Sequence, residues 1–158
     1  MHTAQSRSSA WNSTPLIAIT IVTLLAPLAA SQIPEIAGTW KVNIEKSEAK
    51  GAPSEMTIRT RVEGREVWFI TTIHGSTIEM RYNTEGKQCV NHTPDATVTS
   101  TVKWEGGALV GVHHLKARDW ELTQRDRITW SRDGKTMTVV RVATEPKQRD
   151  QKVVYDRQ

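Results

Sequence analysis

Cysteine is almost missing from this chain: Cys89 is the only one in 158 residues. A lone cysteine excludes an internal disulfide framework, so the core must hold the fold unaided. The same scarcity argues against a metal centre. Cys89 and His92 stand three apart, and His74 is the only obvious third ligand, whereas metal sites generally need three or four. No metal and no cofactor are expected. Phenylalanine occurs once and tyrosine twice, against six tryptophans. There is no dense run of Lys or Arg. The net charge of +4 comes from 21 bases interspersed with 17 acids, which disfavours a nucleic-acid partner. No internal repeat and no low-complexity tract is visible, and no stretch beyond the N-terminal segment sustains a helical period.

One long apolar run is present. Met1 to Pro15 is polar with a single cation, Arg7, and Leu16 to Ala30 is almost wholly apolar. Ala29-Ala30-Ser31 then supplies the small residues of a signal-peptidase site. The run is about 15 residues, short of the roughly 20 that a transmembrane helix needs, and Pro27 interrupts it. The expectation is a signal peptide over residues 1–31, cleaved before Gln32 or Ser31, and export to the periplasm or beyond. Removing it takes away Arg7 alone and leaves a domain over 32–158 with a charge of +3 and no membrane span.

The remainder alternates with period two. Met56, Ile58, Thr60 and Val62 alternate with Thr57, Arg59 and Arg61; Ile78, Met80 and Tyr82 alternate with Glu79 and Arg81. Such alternation, rich in Thr, Val, Ile and Trp, is that of strands with one buried face. Glycine turns punctuate the runs at Glu63-Gly64-Arg65, His74-Gly75-Ser76, Glu85-Gly86-Lys87, Glu105-Gly106-Gly107 and Asp133-Gly134-Lys135. The pattern predicts ten strands over 38–44, 56–62, 66–74, 77–84, 87–91, 96–104, 108–115, 121–130, 136–143 and 152–157. Residues 47–54 read as a polar loop with room for one helical turn. Sequential hairpins of this kind close into an antiparallel up-and-down β-barrel of about 8–10 strands or stack as a β-sandwich.

Several strands carry polar residues where the apolar face is expected. Ser100 falls among Val98, Val102 and Trp104, and Gln124 and Asp126 fall in register with Trp120 and Leu122. A solidly packed barrel would read more apolar, whereas a cavity tolerates polar groups inside.

Gly38-Thr39-Trp40 opens the first strand, Trp130-Ser131-Arg132-Asp133-Gly134-Lys135 forms the last strong hairpin, and Val153-Val154-Tyr155-Asp156-Arg157-Gln158 closes the chain. In these residues the sequence resembles a group of small exported bacterial proteins described as lipocalin-like. More distantly it is similar to the calycins, the lipocalins and fatty-acid-binding proteins. The resemblance implies a barrel whose tryptophan, Trp40, packs at the closed end against a late arginine, for which Arg157 is the candidate. It also implies a ligand inside. The Arg-x-Tyr that holds a carboxylate in fatty-acid-binding proteins is incomplete: Tyr155 matches, but Val153 stands in the arginine position. Arg141, or Arg125 and Arg127, could substitute. The glycine and histidine pattern of the haem-binding nitrobindins is absent.

The residues expected to line a cavity are therefore Arg141, Tyr155, Arg125, His114, Trp104 and Trp120. His114 enters because neighbours on a strand point to opposite faces: if Ala108, Val110 and Val112 face in, so does His114, and His113 faces out. Which of Arg125 and Arg127 enters is undecided. Three functions stay open: a binder of a small hydrophobic or anionic molecule without chemistry, a filled-core domain that binds a protein partner, and a cavity enzyme built on His114. Oligomeric state is not legible.

Overall fold

The computed structural model describes residues 35–49, 53–147 and 150–158. The apolar run over residues 16–30, where a signal peptide is expected, lies outside the described residues. Ten strands follow one another in the chain: β1 (Gly38–Asn43), β2 (Met56–Glu63), β3 (Glu66–Ile73), β4 (Ser76–Asn83), β5 (Glu85–His92), β6 (Thr97–Glu105), β7 (Ala108–Lys116), β8 (Glu121–Trp130), β9 (Thr136–Glu145) and β10 (Gln151–Arg157). Each lies within two residues of its expected limits. Among the described residues there is no helix, and the described part of the β1–β2 connection is turn and irregular chain.

All ten belong to one sheet, in the order β4-β3-β2-β1-β10-β9-β8-β7-β6-β5 with every neighbouring pair antiparallel. Every strand thus pairs with the next in the chain, except across one point. The ends of the order, β4 and β5, are joined by a tight turn at Thr84 yet share no ladder. The sheet curls into a nearly closed calycin-like barrel, so barrel and not sandwich is the architecture. Across the seam the side chain of Asn91 replaces a backbone. Its Oδ1 accepts from the Arg81 amide at 2.8 Å and its Nδ2 donates to the Arg81 carbonyl at 2.9 Å. Cys89 stands half-buried in the same seam.

One end of the barrel is plugged. Trp40 has no exposed surface; its indole donates to Thr60 Oγ1 at 3.0 Å and to the Ile36 carbonyl at 3.3 Å. The Arg157 guanidinium lies 5.1 Å from the Trp40 ring centroid and also donates to the Ala37 carbonyl. Gly38 leaves the room for it: a Cβ there would stand 2.9 Å from Arg157 Nη2. Met137, Leu109, Val67 and Val102 complete this floor. On the outer surface Trp68 is kept from water by Arg61 and Arg81, 4.5 and 5.5 Å from its ring.

Candidate functional site

Register decides what the barrel encloses. Antiparallel pairing lines up Cys89, Ser100, His113 and Gln124 as one row across β5 to β8. The next row on the same face runs Val102, Gly111, Asp126 and Arg141 across β6 to β9. A polar residue that looks misplaced within its own strand is therefore one element of a belt, and the belt faces inward.

The interior is not packed solid. A cavity of about 380 Å³ lies between this belt and the facing wall, where Ile58, Phe69, Ile78 and Met80 present apolar surface. It reaches the surface near Thr93, Asp95 and Trp120, the last of them 47% exposed. One wall is thus polar and the other apolar.

Asp126 and Arg141 are the centre of the polar wall. The Arg141 Nε donates to both carboxylate oxygens of Asp126, at 2.9 and 3.2 Å, and its Nη2 donates to Oδ2 at 2.6 Å. The carboxylate is buried. The Arg141 side chain borders the cavity and is 43% exposed. Burial works against its charge, and the hydrogen bond and charge of Asp126 more than offset that, so the guanidinium is held ionised. Gln124 Nε2 donates to Asp126 Oδ1 at 3.4 Å.

His113 completes the belt. Its Nδ1 shares a 2.8 Å hydrogen bond with Ser100 Oγ, its Nε2 lies 4.0 Å from Asp126 Oδ2, and Tyr82 packs on it with centroids 5.4 Å apart. Burial pushes its pKa down; Asp126 opposes this and Arg141 adds to it. The two phenols beside the pair, Tyr82 and Tyr155, are pushed up by burial, Tyr155 to about 12. At neutral pH the belt therefore carries one positive and one negative charge, with neutral donors around them.

Three of the six expected lining residues, Arg141, Tyr155 and Trp120, border the cavity. The other three do not. Arg125 is exposed on the outside of β8, and so is Arg127, because the parity that turns Gln124 and Asp126 inward turns both arginines outward. Trp104 packs against Trp130 at the plugged end, with centroids 5.8 Å apart, away from the cavity. His114 is exposed and pairs on the outer face with Thr123 Oγ1 at 3.2 Å. The two histidines are placed the other way round from expectation: Leu109, Gly111 and His113 face in. The start of β7 is buried on both faces, at Ala108, Leu109 and Val110, so its apolar residues cannot fix the parity. Gly111 offers no side chain to mark the inner face, and that gap is where the His113 ring folds; a Cβ on Gly111 would run into His113 Nε2. With His114 outside, an enzyme built on it loses its base. His113, Asp126 and Gln124 are the interior residues that pattern reading did not select, although the parity of β8 pointed to the last two.

No protein-family model matches the sequence, and no curated protein matches it significantly. Solved structures do match in fold. An abundant heat soluble (SAHS) protein from Ramazzottius varieornatus superimposes with a TM-score of 0.62 at 9% identity, over 79% of this chain and 96% of the other. The REP1-NXSQ fatty acid transporter gives 0.58 at 14% identity, over 77% and 95%. Lipid binding protein 8 of Caenorhabditis elegans, in its apo form, gives 0.57 at 9% identity, over 77% and 94%. At these identities the likeness is one of fold.

Proposed function

We propose that this protein is an exported binding protein that holds one small, largely apolar molecule inside its barrel and does not transform it. The observation that carries the proposal is Arg141, a charged group paired with a buried carboxylate that lines a cavity whose opposite wall is apolar. A polar group placed to fix orientation, with apolar surface to receive the rest, is the usual construction of a small-molecule site, and about 380 Å³ is within the usual size. Two of the neighbours in fold are described as a fatty acid transporter and a lipid binding protein. Trp120, beside the cavity mouth, offers an apolar edge for entry. A filled-core interaction domain fits this interior less well.

Catalysis is disfavoured by the placement of the hydroxyl. Ser100, the residue hydrogen-bonded to His113, is 1% exposed and does not border the cavity, so it presents no nucleophile there. Export rests on the apolar segment and the small residues before Gln32. Among the described residues no helix is long and apolar enough to cross a membrane.

Native mass spectrometry of the protein recovered from its exported fraction tests both parts. The expected result is a chain beginning at Gln32 or Ser31 with an additional small mass that is lost on denaturation. A bare chain that also fails to retain an added apolar dye such as Nile red would overturn the binding proposal. Retention of residues 1–31 would overturn export with a cleaved signal.

A further inference from the structure

The belt that makes the cavity polar also fixes the kind of polar end it accepts. Arg141 is not a free cation. Its Nε and Nη2 are both taken by Asp126, and Asp126 spends both oxygens on that pair. What the guanidinium has left for a guest is its Nη1 end: both Nη1 hydrogens and the second hydrogen of Nη2. Beside it stand two phenols: Tyr155, whose hydroxyl among the described residues has only the Met56 sulfur at 3.9 Å, and Tyr82, which packs between Phe69 and His113.

A carboxylate bound to Nη1 would share its guanidinium with Asp126. Two like charges would then stand a few ångströms apart within a weakly polarisable enclosure, and the repulsion would offset what Arg141 supplies. The interior charge would also change from zero to −1 with no remaining cation on the belt to match it, since burial keeps His113 neutral. A cationic head meets the mirror problem, because Asp126 is already committed and Arg141 repels it. An uncharged oxygen meets neither. It accepts from Arg141 Nη1 and exchanges hydrogen bonds with the phenols while the ion pair stays intact.

We infer that the cavity selects an uncharged amphiphile, with a hydroxyl or carbonyl oxygen seated at Arg141 and the phenols and its hydrocarbon on the Ile58, Phe69, Ile78 and Met80 wall. This rests on the binding role proposed above and narrows it: Asp126 is the residue that excludes fatty-acid anions.

Displacement of Nile red from the exported protein near neutral pH tests it with three guests of one chain length: decanol, decanoate and decylammonium. Decanol is expected to displace the dye at concentrations about tenfold or more below both ions, a difference of about 1.4 kcal/mol or more. Asp126→Asn unbalances the belt in favour of Arg141, so decanoate is expected to gain about tenfold relative to decanol while decylammonium does not. Comparing that ratio between the two proteins removes the greater affinity of any neutral chain for apolar surroundings. Decanoate that competes as well as decanol in the unaltered protein would overturn the inference and leave the binding role standing. A folded Asp126→Asn protein with an unchanged ratio would do the same. If that variant does not fold, the comparison of decanoate with decylammonium in the unaltered protein decides: similar weak binding supports a balanced belt, and a strong preference for decanoate overturns it. Failure to retain Nile red at all would overturn the binding role itself.

Discussion

His113 ties the polar belt to the stability of the protein. Its ring fills the place a side chain at position 111 would take, its Nδ1 meets Ser100, and its face meets Tyr82. The ring is neutral when folded because burial lowers its pKa below 6.5, with Asp126 opposing and Arg141 assisting. The sign of the pH effect follows. As pH falls through about 6.5 the unfolded chain takes up a proton that the folded chain refuses, so stability drops, and it levels off only below the folded pKa. The expected loss is up to about 1.4 kcal/mol per pH unit within that window. Denaturant midpoints between pH 7.5 and 5 should show it, and His113→Asn should flatten the slope while lowering the plateau. The residue scale is also where sequence reading was weakest. Asp126 and Gln124 were legible from the parity of β8, but His113 was not. Ala108, Leu109 and Val110 are all buried, and the glycine that reveals the inner face does so by having nothing there.

At the scale of elements nearly everything was legible. All ten strands stand where alternation and turn glycines put them, since a half-buried strand must alternate and a tight hairpin needs residues such as Gly134, whose φ is +68°. The seam was not legible, because nothing within β4 or β5 says that their backbones fail to meet. Away from the turn, where Asn83 Oδ1 accepts from the Glu85 amide at 2.9 Å, Asn91 is the strand residue whose carboxamide spans the seam among the described hydrogen bonds. Asn91→Ala should cost about 1–2 kcal/mol by unpairing the Arg81 amide and carbonyl. Hydrogen exchange should quicken at Arg81 and stay unchanged in β8 and β9. Asn91→Asp keeps the acceptor for the Arg81 amide but loses the donor to its carbonyl, so its cost should be of similar sign. If exchange at Arg81 were unaltered in both, the seam would owe its closure to the neighbouring side chains instead.

For the whole molecule the arrangement is a vessel with a plugged end, a polar wall, an apolar wall and a mouth near Trp120. The plug joins the first strand to the last: Trp40 lies opposite Arg157 in the β1–β10 ladder, and Gln158 donates from its amide to the Thr39 carbonyl at 2.9 Å. The ring of strands is consequently closed by two different kinds of link. Between β1 and β10 it is hydrogen-bonded but covalently open, and between β4 and β5 it is covalently joined but lacks a ladder. A circularly permuted chain makes the difference measurable. Joining residue 158 to residue 35 through a flexible linker and cutting at Thr84 would place both breaks at one seam, leaving the Asn91–Arg81 pair and the Asn83–Glu85 bond beside the cut as its hydrogen-bonded ties. Such a permutant should keep its β-sheet circular dichroism but retain Nile red poorly, since the cavity walls are free to part. Cutting instead within the Asp133-Gly134 turn should keep both. Chain connectivity, ordinarily only the route by which a barrel is assembled, here serves as one of its staves.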